Sequence, residues 1–196
     1  QSETFEVENN PNDPEAGTRP VTFSRNLYVE SDDFLETSIP KYKRLYPDGP
    51  ECRLKGAYLI KCTGCVKDEQ GNVVEILATY DPDSKGGNPA DGRKVKGATI
   101  HWVDAETAVD AQVRLYDNLF ADENPDGGDK DFLDCLNPGS LEVLEGCKLE
   151  ASLANAQPSD RFQFLRLGYF CADSKDSKPG ALVFNRAVSL KDGFKK

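Results

Sequence analysis

Short β-type runs alternate along this chain with loops rich in Gly, Pro, Asp and Asn, and no helical pattern long enough to cover a sheet intervenes. That punctuation restricts the polypeptide to an all-β architecture. Residues 57–67 and 72–80 read as two strands joined around Gln70-Gly71-Asn72. In the second, Val74, Ile76, Ala78 and Tyr80 alternate with Val73, Glu75, Leu77 and Thr79. Further strands are expected over 95–103, 111–119, 140–149, 161–172 and 182–190, and loops over 8–20, 46–51, 81–92, 121–130 and 173–180. Helices should be few and short. Ser31 is a candidate N-cap ahead of Asp32-Asp33-Phe34-Leu35-Glu36, in a helix that Pro40 ends. Asp104 can cap a second short turn, and 129–136 forms a third. Many short strands between such turns suggest closed or nearly closed β-barrels. No Gly-x-Gly-x-x-Gly or phosphate-loop lysine motif argues for a nucleotide-binding fold instead.

A length of 196 residues allows one compact unit or two small ones. No apolar run approaches the roughly 20 residues of a membrane span, and Gln1-Ser2-Glu3-Thr4 has neither the basic start nor the apolar core of a signal peptide. The chain contains no methionine and begins at Gln1, so a fragment of something longer is expected. Six cysteines stand at 52, 62, 65, 135, 147 and 171; in a chain this large and charged they read as reduced thiols of a cytosolic protein. Cys62-x-x-Cys65 is half of a zinc motif with no second half, because no other close pair exists and His101 is the sole histidine.

Catalysis is hard to assemble from this inventory. Any Cys-His or Ser-His pair must use His101, which sits beside Trp102 in an apolar run where a packed strand histidine is expected. The abundant carboxylates occupy Asp-Gly and Asn-Pro settings that mark turns. The net charge of −10 argues against a nucleic-acid partner only as a bulk number. Between residues 40 and 67, Lys41, Lys43, Arg44, Arg53, Lys55, Lys61 and Lys67 face only Asp48 and Glu51, a local balance of +5. From the residues alone, two explanations of this stripe stay open: lysines that blunt strand edges, and a surface for RNA phosphates.

The stretch Asp91-Gly92-Arg93-Lys94-Val95-Lys96-Gly97 combines hairpin chemistry with a β-branched run into Ile100-His101-Trp102-Val103. With Arg114-Leu115-Tyr116-Asp117, Phe162-Gln163-Phe164, Val183-Phe184-Asn185-Arg186 and Asp192, it resembles the anticodon-binding part of bacterial glutaminyl-tRNA synthetase, a class I aminoacyl-tRNA synthetase, over nearly the whole chain. The resemblance implies two ribosomal L25-like β-barrels: a proximal one from 1–44 plus 121–196, and a distal one inserted at 45–120. It implies recognition of the tRNA(Gln) anticodon stem-loop by a monomeric, cytoplasmic protein, with neither membrane nor DNA as partner. ATP with magnesium, and glutamine, would bind a catalytic domain elsewhere in the full enzyme, whose His-Ile-Gly-His and Lys-Met-Ser-Lys-Ser elements cannot be built from one histidine and no methionine. No catalytic, cofactor-binding or metal-binding residue is expected here.

The resemblance also implies particular contacts. Single-stranded RNA loops are read by stacking splayed bases on flat side chains and hydrogen-bonding their edges. Lys43 and Arg44 would engage the third anticodon base, a guanine whose acceptors suit arginine or lysine, and Arg53 the first base. Lys41, Tyr42 and Lys55 would be lesser contacts; the family often has glutamine and arginine where Lys41 and Lys55 stand. If 41–46 is extended, Tyr42, Arg44 and Tyr46 share one face, with the guanidinium between two rings. Gln163 and Arg166 would hold the middle uridine. Three apart in a regular strand they would point oppositely, but apolar parity switches after Phe164, and a β-bulge there would bring them to one side. Two other identities stay open: a related glutamyl-tRNA synthetase domain, and an RNA-independent β-rich interaction module that is disulfide-bonded and extracellular.

Overall fold

A computed structural model describes residues 2–128 and 130–190; Asp129, Asp192 and Lys196 lie outside the described residues. Thirteen strands are formed among these residues, and the helical segments are single 3-10 turns, so the architecture is all-β as the sequence indicates. No helix of the described residues is long and apolar enough to cross a membrane. The chain forms two compact units, Gln1–Thr107 and Ala108–Lys196. This division differs from the nested 1–44/45–120/121–196 arrangement expected from the sequence.

The reason lies in the first core. Strands β1 (Glu3–Glu8) and β2 (Thr18–Phe23) form a hairpin, and β3 (Leu27–Val29) pairs with β8 (Trp102–Asp104). Their inward residues Phe5, Val21 and Phe23 pack with Leu45, Leu54, Tyr58, Ile100 and Trp102 in one cluster. The N-terminal 30 residues therefore share their apolar contacts with the segment expected to be a separate barrel. Phe23 and Trp102 meet edge to face at 5.3 Å, and the indole N–H donates to the Lys55 carbonyl at 3.0 Å, which satisfies the one polar atom of a buried ring. A four-stranded sheet completes the unit: β6 (Val73–Asp81), β5 (Leu59–Lys67), β4 (Cys52–Leu54) and β7 (Thr99–Ile100), in that order. The β5–β6 hairpin is the one read from sequence. Asp68 accepts from the backbone N–H groups of Gln70 and Asn72 to shape its turn.

The second unit is built on a five-stranded sheet in the order β10 (Leu141–Leu149), β9 (Val109–Tyr116), β13 (Leu182–Ser189), β12 (Gly168–Ala172), β11 (Arg161–Phe164). Phe184, fully buried, meets Phe162 and Phe164, and Phe164 stacks on Phe170 at 4.3 Å. Burying a ring of this size stabilises by roughly 2–3 kcal/mol. On the opposite face two of the resemblance motifs meet, since Asn185 is the parallel register partner of Arg114. Arg114 pairs with Asp173 at 3.5 Å and Asp176 at 2.7 Å, and the Asn185 amide donates to Asp173 at 2.6 Å. These donors, with the Asp176 and Lys175 amides, hold the Asp173 carboxyl down at about 2.

The strand pairings among the described residues form two-, two-, four- and five-stranded sheets, in keeping with the all-β expectation. Two sequence expectations need correction. The turn Ser31–Asp33 is capped by Glu30 without a side-chain bond, and Ser31 is its first residue rather than its cap. Residues 161–172 are a hairpin, not one bulged strand: Phe164 pairs with Gly168 across Leu165-Arg166-Leu167. The parity switch marks a chain reversal, and the bulge lies between Tyr169 and Phe170 against β13. Two other expectations hold. Asp104 caps its turn by accepting from the Thr107 N–H and hydroxyl, and Asp131 caps the 3-10 turn Phe132–Cys135.

Candidate nucleic-acid interface

In the first unit, residues 39–46 are an irregular loop, not an extended segment. The Tyr42 amide donates to the Ile39 carbonyl at 3.1 Å, with Pro40 and Lys41 at the two central positions and Lys41 at φ 68°. That φ is the left-handed value a type II turn requires at its third residue, where glycine or asparagine is usual. The Tyr42 and Tyr46 rings approach each other at 6.2 Å, so no guanidinium is sandwiched between them. Arg44 turns instead to the fully buried Asp33: Nη1 lies 3.2 Å from its Oδ1 and 3.3 Å from the Asp32 carbonyl oxygen, to which the Tyr42 hydroxyl also donates at 3.1 Å. Burial pushes the Tyr42 hydroxyl pKa up. Arg44 thus neutralises an interior carboxylate while its side chain stays 38% exposed.

Lys43 and Arg53 are brought together by the backbone. The Ala98 amide donates to the Lys43 carbonyl at 2.7 Å, and the Arg53 amide donates to the Ala98 carbonyl at 3.0 Å. Cys52, alternating with Arg53, points into the core, and burial pushes its thiol up to about 11. Arg53 therefore projects from the sheet face opposite the core, where its Nε donates to the Gly87 carbonyl. Among the described residues Nη1 and Nη2 of Arg53 make no bond, and neither do the ammonium groups of Lys41, Lys43, Lys55 and Lys61. Lys67 is paired with Glu36 and leaves that set. Of the seven cations in the 40–67 stripe, these five and Arg44, whose Nε and Nη2 lie outside its Nη1 contacts, keep donors for a ligand.

In the second unit, Gln163 is exposed on β11 opposite Tyr169, itself 49% exposed. Val188 continues the row on β13. Arg166 is exposed at the apex of the hairpin, with φ 65°, and the Leu167 amide closes the turn on the Phe164 carbonyl at 2.9 Å. Among the described residues, four non-glycine residues adopt positive φ: Lys41, Asp48, Ser159 and Arg166. Aspartate tolerates that region well; a long cation there costs on the order of 1 kcal/mol.

A continuous strand over 161–172 gives no reason to single out Tyr169, the flat neighbour of Gln163, and sequence reasoning missed it. It also missed the acceptors that hold the arginines, Asp33 and the Gly87 carbonyl. Alternation would have placed Tyr169 once the reversal at 165–167 was recognised; no sequence signal links Asp33 to Arg44. All six cysteines are free thiols, with Cys62 buried and Cys65 half-buried. His101 lies between β7 and β8, half-buried, with Nδ1 3.5 Å from Glu30.

Two family models match, both described as tRNA synthetases class I (E and Q), anti-codon binding domain, over residues 1–81 and 99–173. A glutamine–tRNA ligase of Clostridium kluyveri is 52% identical over 196 residues, covering 100% of this chain and 35% of the relative. Those of Pseudomonas putida and Bordetella avium are 53% and 54% identical, covering 99% of this chain and 34% and 33% of their own lengths. The chain spans about a third of the length of these relatives.

Proposed function

Because this chain belongs to the anticodon-binding domains of the class I tRNA synthetases for glutamate and glutamine, we propose that it reads the anticodon loop of tRNA(Gln). Lys43 and Arg44 engage the third base, Arg53 the first, and Gln163 with Arg166 the middle uridine. Lys41, Tyr42 and Lys55 add lesser contacts. In the longer polypeptide this binding favours ATP-dependent attachment of glutamine to the cognate tRNA by a monomeric cytoplasmic enzyme, with ATP, magnesium and glutamine held outside the present chain.

The observation that supports this most is the state of the donors. Arg53 is fixed through Nε and keeps both terminal nitrogens open, a fork suited to base-edge acceptors. Gln163, exposed beside Tyr169, offers both donor and acceptor next to a ring on which a base can stack. Arg44 keeps Nε and Nη2 beyond the Nη1 contacts to Asp33 and Asp32. Titrating the chain with tRNA(Gln) transcripts altered base by base in the anticodon, at several salt concentrations, tests the proposal. Each anticodon change should weaken binding by about 1–3 kcal/mol over a shared salt-dependent background. tRNA(Glu), which shares the middle uridine but not the third base, should bind more weakly. Equal affinity for every variant would overturn the proposal.

A further inference from the structure

Residues 85–98, which include the Asp91–Gly97 motif, contact none of the bases in the proposal above, yet they are tied to the first unit by several ion pairs and two close glycine contacts. Arg93 is the hub. Its Nε and Nη2 form a two-pronged pair with the Glu51 carboxylate, both at 2.9 Å; Nη2 also reaches Asp81 at 2.6 Å, and Nη1 reaches Asp91 at 3.0 Å. The guanidinium holds the Asp81 carboxyl below its ordinary value, and the Arg93 backbone amide, with the guanidinium, does the same for Asp91. Glu51 directly precedes β4 and Asp81 ends β6, so one side chain fastens this loop to two strands of the sheet. Gly97 closes the other end: its amide donates to the Glu51 carbonyl at 3.1 Å, and a Cβ there would stand 2.2 Å from that oxygen.

The clamped loop bears on one functional side chain. Gly87, at φ 85°, lies against the stem of Arg53, and a Cβ on it would sit 2.9 Å from both Cγ and Cδ. Its amide is tied to the Ser84 carbonyl at 2.8 Å, and the buried Ser84 hydroxyl donates to the Asp81 carbonyl and accepts from the Leu59 amide. Its carbonyl takes the Arg53 Nε–H. The stem and Nε of Arg53 are thus fixed by a loop that is itself fixed by Arg93, while the two terminal nitrogens remain open. Four rotatable bonds would otherwise leave this guanidinium free, and fixing them before binding removes an ordering cost from recognition.

We infer that the 85–98 loop is a positioning device for Arg53, with Gly87 and Arg93 as positioning residues for discrimination at the first anticodon base. This rests on the assignment of Arg53 to that base. The test uses the whole chain and a synthetic anticodon stem-loop RNA of tRNA(Gln), with single changes at each anticodon position. Arg53→Ala comes first and should reduce first-base discrimination about tenfold, the effect of one base-specific contact. Gly87→Ala should reduce the same ratio by a similar factor. It should leave the other two positions within about twofold, and the double variant should be no worse than Arg53→Ala. Should Gly87→Ala fail to fold, Arg93→Lys serves as the second arm: it keeps the charge but loses the two-pronged pairing, and should lower first-base discrimination alone. Unchanged first-base discrimination in folded Gly87→Ala or Arg93→Lys, or equal weakening at all three positions, would overturn the inference. If Arg53→Ala itself leaves first-base discrimination intact, the assignment of Arg53 fails, and the positioning role fails with it.

Discussion

The two clusters that bear the proposed reading residues are held in different ways. In the first unit, cations are fixed by protein acceptors: Arg44 by the buried Asp33, Arg53 by the Gly87 carbonyl, and the loop behind them by Arg93. In the second, Gln163, Tyr169 and Arg166 stand on an edge hairpin, where strand pairing and a left-handed backbone at Arg166 set direction. The first arrangement binds recognition to stability, because the same guanidinium serves the interior and the surface. In the second, Gln163 and Tyr169 are uncharged and Arg166 is exposed at the hairpin apex, so no fully buried carboxylate such as Asp33 is shown beside them.

The strongest way to break this contrast is Arg44→Ala. Removing the cation from a fully buried carboxylate should lower stability by about 2 kcal/mol, below the range for fully buried pairs because Arg44 is partly exposed. Arg166→Ala, at an exposed position, should cost less, about 1 kcal/mol or below. Urea denaturation of both variants measures this; equal losses would erase the distinction. Base selectivity should relax in both, at the third anticodon position for Arg44→Ala and the middle one for Arg166→Ala.

Arg166→Gly sharpens the contrast. Glycine relieves the left-handed φ of 65°, so the unfolding free energy should hold or rise by up to about 1 kcal/mol, while middle-base discrimination falls by about 1–3 kcal/mol. A variant that lost both would place Arg166 in the support of the hairpin.

Acid tests the Asp173 network of the second unit. Asp173 in the second unit has its carboxyl lowered from 3.8 to about 2, so its contribution is full above about pH 4 and disappears as pH falls toward 2. Asp173→Asn should flatten the pH dependence of the melting temperature in that window. A wild-type slope that persists in the variant would assign the effect to other carboxylates. The smallest effects belong to the exposed lysines: Lys41→Ala and Lys55→Ala should each reduce the salt slope of RNA binding by about one, with base preference unchanged.

Much of this fold was legible in the sequence where local chemistry and burial agree. The β5–β6 hairpin follows from Asp68–Asn72 turn chemistry between alternating runs, and β13 from its own alternation. The β1–β2 hairpin was not, because Glu3–Glu8 is mostly charged or polar, Pro20 interrupts Thr18–Phe23, and only distant partners such as Tyr58 bury Phe5. The 165–167 reversal lacks the glycine or asparagine that usually marks a positive φ, so Arg166 hid the turn that displays it. At the site, residue types pointed to the cations, but their acceptors are long-range: Gly87 is 34 residues from Arg53, a separation no local pattern encodes. The cations were legible as residue types, and the groups that hold them were not.

The claim that separate side chains read separate bases is tested most directly by one binding matrix: Arg53→Ala and Arg166→Ala, each titrated against anticodon stem-loops altered at the first or the middle base. The account predicts crossed losses, in which Arg53→Ala loses discrimination at the first base alone and Arg166→Ala at the middle base alone. Uniform weakening of every RNA by both variants would show phosphate contacts instead and contradict it.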